Sequence, residues 1–243
     1  MEVPSPNRVL VVLPTYMEAE NISEVLQRVR NVLPEAHVLV VDDGSTDGTA
    51  DLARAMGEEL HNIEVLERKG KQGLGSAYRA GFAWGMARGH EVLVEMDSDL
   101  SHDPADLPRL VGGAAHADLT IGSRYVPGGS IPDWTLHRRL LSEWGNRYVS
   151  WMLRLGVADA TAGFRAYRSS ILQAFDLDAV KAEGYTFQIE MTRKVRQAGG
   201  VVEEIPIAFV DRVRGTSKMS TAIVVEALLL VTRWGIADRV RRR

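Results

Sequence analysis

The sequence predicts an α/β fold in which a mainly parallel sheet is flanked by helices on both faces. Short, nearly continuous apolar runs alternate with segments of helical spacing from the start of the 243-residue chain. Strands of this kind are typical of parallel sheets that are covered on both faces. Three of the runs end in polar sequence, and ligands of such sheets bind at the carboxyl ends of the strands.

The first hundred residues contain the clearest elements. Residues 9–13, 38–41, 63–66 and a run ending at Asp97 predict strands, and residues 21–32, 46–56 and 76–87 predict helices. Pro14 is expected to end the first strand, and Asn21 is a candidate N-cap of the first helix. The polar strand exits are residues 14–18, 42–45 and 97–101.

The second half is less regular. Residues 119–124 predict a strand with Arg124 at its exit, residues 188–197 a helix, and residues 201–210 a late strand. Pro206 places that late strand near a sheet edge. Residues 136–155 predict an amphipathic helix with an apolar stripe of Leu140, Leu141, Trp144, Tyr148, Trp151, Met152 and Leu155. Core packing and a position at a membrane interface both explain this stripe, since several arginines lie beside it.

Composition excludes several classes of protein. The net charge of −3 gives no case for nucleic-acid binding, and the absence of cysteine excludes disulfides and thiolate metal sites. The N-terminus lacks the apolar core of a signal peptide, so we expect a cytoplasmic location. No segment reaches the roughly 20 apolar residues that span a bilayer, and we expect the apolar residues 222–231 to pack. We expect one domain, residues 1–243, in which the basic loop and helix of 212–243 are a candidate membrane-facing element.

Two aspartates, Asp97 and Asp99, follow a buried strand pattern. Neighbouring carboxylates repel each other unless a cation neutralises them, and Mg²⁺ often binds one or two carboxylates together with phosphate oxygens. A solvated acidic turn explains an isolated Asp-x-Asp more often. The two other polar strand exits favour a diphosphate and metal site, because parallel strands end at one edge of the sheet.

Two common nucleotide-binding patterns are absent from the sequence. The first strand is followed by Pro14-Thr15-Tyr16-Met17-Glu18, which contains no glycine. The stretch Gly73-Leu74-Gly75-Ser76-Ala77-Tyr78 lacks the third glycine of the dinucleotide fingerprint, and no P-loop pattern is present. The sequence therefore argues against a nicotinamide enzyme and a Walker-type NTPase.

Seven motifs, in their order and spacing, resemble those of the family 2 inverting glycosyltransferases of GT-A fold. They are Pro14-Thr15-Tyr16-x-Glu18, Asp42-Asp43-Gly44-Ser45, Gly73-Leu74-Gly75, Asp97-x-Asp99, Gly122-Ser123-Arg124-Tyr125, Ala162-Gly163-Phe164-Arg165 and Arg212-x-x-Gly215-x-Ser217-Lys218. Within that family the chain is similar to the polyprenol (dolichol) phosphate mannose synthases from about residue 9 to residue 234. It looks most like the catalytic domains of actinobacterial polyprenol monophosphomannose synthases.

The resemblance implies transfer of mannose from GDP-mannose to polyprenyl phosphate with inversion, aided by Mg²⁺ or Mn²⁺. The implied donor-binding residues are Pro14, Tyr16, Glu18, Val41, Asp43, Asp97, Ser98, Asp99, Arg124, Arg212 and Lys218. The implied metal ligands are Asp97, Asp99 and Ser101, the last standing where some members have glutamine. Arg124, Arg138 and Ser142 match positions that contact the acceptor phosphate, and Asp97, Asp99 and Arg124 are the implied catalytic residues.

The chemistry of these residues leaves alternatives open. A carboxylate at Asp43 suits a base edge with N–H donors, but guanine and uracil both carry such donors. Transfer of glucose or an amino sugar from a UDP donor to the same lipid is therefore an alternative, and a non-catalytic sugar-nucleotide or lipid-binding protein is another. A lipid phosphate with a second pKa near ~6 is already anionic. We therefore expect arginines at positions 124, 138 and 139 to position it, and no essential general base.

The lipid tail of a polyprenyl acceptor stays in the bilayer, so a catalytic domain must dock there. We expect peripheral binding at the cytoplasmic face of the membrane through Trp134, Trp144, Trp151 and the arginine-rich helix and C-terminus. A separate membrane-protein partner is a further expectation.

Two further residues lie close to the motifs. His102 follows the aspartate pair and is a candidate to touch the site, but a histidine there is more often exposed to solvent, and it is assigned no role. Glu190 is a candidate for lining the sugar pocket or for pairing with Arg193 or Lys194.

Overall fold

The computed structural model describes residues 5–211 and 221–241. Within these residues the chain forms one sheet of seven strands with helices around it. The strands are β1 (Val9–Thr15), β2 (His37–Asp42), β3 (Ile63–Glu67), β4 (Val92–Glu95), β5 (Leu119–Ser123), β6 (Arg165–Arg168) and β7 (Val202–Pro206). The α-helices are α1 (Ile22–Val32), α2 (Thr49–Leu60), α3 (Leu74–Ala87), α4 (Leu107–Gly112), α5 (Leu136–Leu153), α6 (Ser169–Gln173), α7 (Gly184–Gln197) and α8 (Thr221–Arg241).

The strand order is β3-β2-β1-β4-β6-β5-β7. β1 pairs in parallel with β2 and β4, β2 with β3, and β5 with β7, whereas β6 is antiparallel to both of its neighbours. The predicted mainly parallel sheet is therefore confirmed, and β7 lies at an edge as Pro206 indicated. Because β1, β2 and β4 run in parallel, their polar exits lie at the same edge of the sheet.

The central strands are apolar throughout because both of their faces are covered. In β1, Leu10 and Val12 belong to one hydrophobic cluster, and Val9, Val11 and Leu13 belong to a second cluster. All five side chains are at most 1% exposed. The alternation of neighbouring side chains between two cores explains why these runs show no polar face.

Several boundaries differ from the expectations. Pro14 does not end β1, which continues to Thr15 and keeps Pro14 in register with Val41 of β2. β4 ends at Glu95, so Asp97 follows the strand by two residues. Asn21 precedes α1, but its side chain donates to the Glu18 carboxylate at 2.8 Å and forms no cap.

Part of the predicted apolar stripe faces outward, whereas Tyr148 and Met152 pack against the core and Leu155 is buried, so core packing explains only part of it. The helix buries Asn146, Val149 and Leu153. It leaves much of its apolar surface in solvent, namely Leu136, Leu140, Leu141, Trp144 and Trp151. We call these five side chains the exposed face of α5.

The C-terminal helix α8 packs partly against α5. The hydroxyls of Tyr148 and Thr232 are 2.6 Å apart, and Val231 is fully buried. Leu229, on the same helix, is 67% exposed, so packing accounts for only part of the apolar segment. Among the described helices, none is long and apolar enough to cross a membrane.

Candidate functional site

A cavity of about 490 Å³ lies at the carboxyl ends of β1, β2 and β4. We call it the main cavity. Its lining brings together ten of the predicted site residues: Pro14, Tyr16, Glu18, Asp43, Asp97, Ser98, Asp99, Ser101, Arg124 and Arg138. The three polar strand exits therefore meet in one place.

Of the other four predicted residues, two lie outside the main cavity and two fall outside the described residues. The side chain of Val41 is fully buried within β2 and does not line the main cavity. Ser142, on α5, accepts a hydrogen bond from the Tyr125 hydroxyl at 2.7 Å and also lies outside the lining. Arg212 and Lys218 lie outside the described residues, although Asp211, directly before them, lines the cavity.

Asp42 closes the turn after β2. Its carboxylate accepts from the Thr15 hydroxyl at 2.9 Å, the Ser45 amide at 2.8 Å and the Ser45 hydroxyl at 2.6 Å. The side chain is 1% exposed. Asp42 therefore fixes the shape of the strand exit and leaves the cavity to its neighbour Asp43.

Asp43 connects the end of β2 to the loop before α3. Its carboxylate accepts from Arg68 Nε at 2.6 Å and from the amides of Gln72 and Gly73 at 3.0 and 3.2 Å. This places Lys71 of the same loop over the Tyr16 ring, 4.4 Å from its centroid. Both of these side chains line the main cavity. Lys71 was not singled out in the sequence, because a lone lysine in a glycine-rich loop carries no signal.

Asp97 and Asp99 are held by short local hydrogen bonds. The Tyr78 hydroxyl donates to Asp97 Oδ1 at 3.1 Å. Asp99 Oδ1 accepts from the amide and the hydroxyl of Ser101 at 3.1 and 2.6 Å. Burial, followed by the charge of Asp97, raises the pKa of Tyr78 well above its ordinary value, so this phenol remains a donor.

The donor atoms here fit a divalent cation that is shared with a ligand. Asp97 and Asp99 present carboxylate oxygens to one cavity, with the Ser101 hydroxyl beside them. Among the described residues, no group of three or more His, Cys, Asp or Glu side chains could hold a metal by itself. Hard cations that bind only one or two carboxylates complete their shells with phosphate and water oxygens. The site therefore fits a cation that arrives with a diphosphate.

His102 lines the main cavity, which is the less favoured of the two alternatives for its position. Its side chain is 2% exposed, so the expectation of solvent exposure is wrong. Its Nδ1 accepts from the Asp97 amide at 3.2 Å, and its ring stacks on Phe164 at 5.0 Å between centroids. A ring nitrogen that accepts is unprotonated, so the imidazole that orients the Asp97 backbone is neutral.

Arg124 is held by a buried ion pair. Its Nε and Nη2 each donate to the Asp159 carboxylate at 2.7 Å, and Nη2 also donates to Thr161 Oγ1 at 2.8 Å. Burial disfavours the charged form of Arg124, but Asp159 outweighs it and raises the pKa of the guanidinium. Burial alone would likewise raise the pKa of Asp159, and Arg124 brings it below the ordinary value. Both groups are therefore charged at neutral pH.

Arg138 lies on the more open wall of the main cavity. Its guanidinium carbon is 3.9 Å from the centroid of the Trp134 ring, and Nη1 donates to Asp211 at 2.9 Å. Trp134 Nε1 donates to the other oxygen of Asp211 at 2.9 Å. The Arg138 side chain is 34% exposed. Trp134 thus belongs to the cavity wall, whereas Trp144 and Trp151 point to solvent.

Two glutamates support the site from behind it. Glu190 accepts from the amides of Lys181 and Ala182 at 3.2 and 3.0 Å, so it fixes the loop before α7 and does not line the main cavity. Burial raises the pKa of Glu95, at the end of β4, to about 8, and the nearby Arg165 opposes this shift. Glu95 is therefore protonated at neutral pH and adds no charge beneath Asp97.

Comparison with known sequences agrees with this geometry. The profile of the family described as Glycosyl transferase family 2 matches residues 10–175. An undecaprenyl-phosphate mannosyltransferase of Micrococcus luteus is 51% identical over 232 residues, which cover 96% of each protein. A polyprenol monophosphomannose synthase of Mycolicibacterium smegmatis is 48% identical over 237 residues, which cover 97% of this chain and 89% of that protein.

Solved structures share the fold at low sequence identity. Glucosyl-3-phosphoglycerate synthase of Mycobacterium tuberculosis, in complex with Mn²⁺, UDP and glucosyl-3-phosphoglycerate, has a TM-score of 0.64 at 20% identity, covering 96% of this chain and 79% of that one. A mannosyltransferase of Pyrobaculum calidifontis, in complex with GDP-Man and Mn²⁺, has a TM-score of 0.59 at 20% identity, covering 98% and 66%. The predicted α/β fold of GT-A type is confirmed.

Proposed function

This chain belongs to glycosyl transferase family 2, and on that premise we propose that it transfers mannose from GDP-mannose to polyprenyl phosphate. The products are polyprenyl phosphomannose and GDP, with inversion at the sugar carbon. The relatives at 51% and 48% identity bear names that state mannosyl transfer to such lipids. The observation that carries the proposal is the lining of the main cavity, in which Asp97 and Asp99 lie between Tyr16 and Asp43 on one side and Arg138 on the other.

The donor occupies the strand exits. Tyr16 and Lys71 frame the end of the main cavity nearest to Asp43, where the nucleoside binds, and Pro14 and Glu18 complete that wall. Asp43 shapes this end of the cavity, because its carboxylate already accepts from Arg68 and from the amides of Gln72 and Gly73. Its contact with the N–H groups of the base is proposed from the resemblance of its motif. The Ser98 hydroxyl donates to the Pro14 carbonyl at 2.9 Å and so holds the polar exits of β1 and β4 together.

Asp97 and Asp99 hold the divalent cation, Mg²⁺ or Mn²⁺, with Ser101 beside them. When bound, such a cation offsets the negative charge that develops on the leaving diphosphate. The Ser101 hydroxyl directs its proton to Asp99 at 2.6 Å, so it orients that carboxylate and keeps its own lone pairs for a ligand. Arg212 and Lys218 are proposed as further counter-charges to the donor.

The acceptor phosphate enters along Arg138. This guanidinium is partly exposed and lies on the main cavity, so it can meet an anion that arrives from solvent or a membrane surface. Arg124 adds a fixed positive group near Arg138, because both guanidinium groups lie over the Trp134 ring, and Ser142 accepts a hydrogen bond from the neighbouring Tyr125. Since the acceptor is already anionic, positioning and charge neutralisation replace a general base. His102 is unsuited to that role at Nδ1, which already accepts the Asp97 amide.

The exposed face of α5 supports peripheral docking. Trp144 and Trp151 are 55% and 67% exposed and lie on the helix that also carries Arg138. Aromatic and leucine side chains beside arginines suit the interface between headgroups and acyl chains. We propose that the protein binds the cytoplasmic face of a membrane through this helix, with a membrane-protein partner as an addition.

A donor panel tests the proposal. The purified protein is incubated with Mn²⁺, polyprenyl phosphate and labelled GDP-mannose, UDP-glucose or a UDP-amino sugar, and label in the lipid phase is counted. We expect lipid product from GDP-mannose. Product from a UDP donor but not from GDP-mannose would overturn the donor assignment and favour the alternative named from the sequence.

A further inference from the structure

A second cavity, of about 290 Å³, lies beside the main one, between α5 and the loop that follows β5. We call it the arginine cavity. It is lined among others by Arg124, Tyr125, Arg139, Glu143, Arg147 and Ala158. Arg124 lines both cavities and therefore forms part of the wall between them. The proposed transfer reaction makes no use of Arg147 or Glu143.

The arginine cavity carries an excess of positive charge. Arg139 Nε donates to Glu143 at 2.9 Å, and Arg147 lies 3.9 Å from the same carboxylate. One carboxylate thus faces two guanidinium groups, while Arg124 is neutralised by Asp159. Arg139, Glu143 and Arg147 are spaced by four residues and form one row along α5. Such a row beside a cavity suits a singly charged phosphate ester, because a planar guanidinium donates two parallel N–H···O bonds to a phosphate.

The row next to these arginines is apolar. Leu136, Leu140 and Trp144 repeat at the same spacing, each one residue further along, and are 71%, 56% and 55% exposed. Trp151, four residues after Arg147, continues the row of arginines and is 67% exposed. When an amphipathic helix lies in the interface, its apolar row enters the acyl boundary and its flanking arginines lie at the level of the lipid phosphates. This arrangement brings the opening of the arginine cavity to that level.

We propose that the arginine cavity binds the headgroup phosphate of an anionic bilayer phospholipid, a lipid other than the acceptor. The inference rests on the proposed function in one respect, since a membrane-borne acceptor supplies the reason for docking. Arg139 and Arg147 bind the phosphate, and the exposed face of α5 enters the bilayer beside it. The main cavity, on the other side of Arg124, stays available to the acceptor.

Vesicle co-sedimentation without polyprenyl phosphate tests the site. Vesicles of phosphatidylglycerol and phosphatidylcholine are compared with vesicles of phosphatidylcholine alone. We expect the double variant Arg139→Gln/Arg147→Gln to bind anionic vesicles about fivefold more weakly per arginine. The control Arg54→Gln/Arg88→Gln removes the same charge from α2 and the end of α3, and we expect it to bind like the wild type.

A variant that fills the arginine cavity distinguishes binding inside the cavity from binding to a charged surface. Ala158→Leu fills the cavity without a change of charge, and we expect it to weaken binding to anionic vesicles at least threefold while leaving neutral vesicles unaffected. Ala158→Val is the smaller replacement if the leucine variant does not fold. Binding by both at the wild-type level would overturn the proposal, because a charged surface without a site would then suffice.

An assay of mannosyl transfer in detergent micelles distinguishes failure of this inference from failure of the proposed function. With GDP-mannose, Mn²⁺ and polyprenyl phosphate in micelles, we expect the single variant Arg147→Gln, which changes no residue expected to position the acceptor, to keep kcat and the acceptor KM within about twofold of the wild type. A large rise in that KM would overturn the proposal, since the arginine cavity would then belong to the acceptor. Failure of the proposed function would show instead as no transfer by the wild type, whatever the vesicles report.

Discussion

The two walls of the main cavity differ in how firmly they are held. On one wall, which we call the donor wall after its proposed ligand, Asp43 and Asp99 are 5% and 4% exposed and each accepts more than one hydrogen bond. On the other wall, which we call the acceptor wall after its proposed ligand, the Arg138 side chain is 34% exposed and rests on a tryptophan ring and one carboxylate. A diphosphate site needs preorganised charge, whereas an entrance for a lipid phosphate must stay open. Arg124 lies on the cavity but is buried as deeply as the donor wall.

The largest effect is expected where a buried charge loses its partner. Asp159→Asn leaves the guanidinium of Arg124 buried without a counter-charge, and we expect the free energy of unfolding to fall by about 3–5 kcal/mol. Urea unfolding at pH 7 measures it. A loss below about 1 kcal/mol would mean that the Arg124 pair behaves like a surface pair.

The same variant predicts a pH dependence. Because the pKa of Asp159 is lowered in the folded protein, the pair stabilises the fold above the unfolded value near ~3.9 and is lost as the pH falls through the folded value. The difference in unfolding free energy between wild type and Asp159→Asn should therefore be constant from about pH 5 to 8 and shrink below about pH 4. A difference that grew on acidification would have the wrong sign.

Asp99→Asn tests the donor wall. The amide keeps the shape of the side chain but loses the charge that holds a cation, and we expect kcat for mannosyl transfer to fall by about 10²–10³-fold. Asp103→Asn, in the same loop with its side chain half exposed, is the matched control and should stay within about twofold. Activity of Asp99→Asn at the wild-type level would remove Asp99 from the metal site.

Arg138→Gln tests the acceptor wall. A charged hydrogen bond contributes about 1.5–3 kcal/mol, so we expect the acceptor KM to rise roughly tenfold to a hundredfold with the donor KM unchanged. Initial rates at varied polyprenyl phosphate measure the change, with Arg54→Gln as control. An equal rise in the acceptor KM and the donor KM would mean that Arg138 maintains the shape of the whole cavity and does not bind the acceptor.

The smallest effect is expected at the exposed counterpart of the buried pair. Asp211→Asn alters an ion pair whose side chains are 34% and 41% exposed, and such pairs contribute about 0–1 kcal/mol. Urea unfolding of Asp211→Asn and Asp159→Asn under the same conditions compares the free energies that the two ion pairs contribute. A cost as large as that of Asp159→Asn would contradict the contrast between a firm and an open wall.

The sheet and the strand exits could be predicted because their signals are local. β1, β2 and β4 are apolar on both faces, and parallel strands bring their exits to one edge. β6 was missed because it begins with Arg165, whose fully buried side chain donates to the carbonyls of Ala160, Ala162 and Gln188. In a sequence, an arginine predicts an exposed position, and only the folded chain brings these three carbonyls to its side chain.

The remaining parts of the site depend on tertiary contacts. The stripe of α5 has the same periodicity whether it faces a core or solvent, and the residues that the helix buries are Asn146, Val149 and Leu153. His102 is buried by Phe164 and Phe209, which come from distant parts of the chain. Spacing along one segment cannot contain such information.

The anomeric configuration of the product tests the central claim most directly. Wild-type protein is supplied with GDP-α-mannose, Mn²⁺ and polyprenyl phosphate, and the lipid product is analysed by NMR of the sugar carbon bonded to phosphate. The account predicts a single β-mannosyl phosphate on the lipid, formed by direct attack of the acceptor phosphate. An α-linked product, or free mannose released without lipid product, would contradict it.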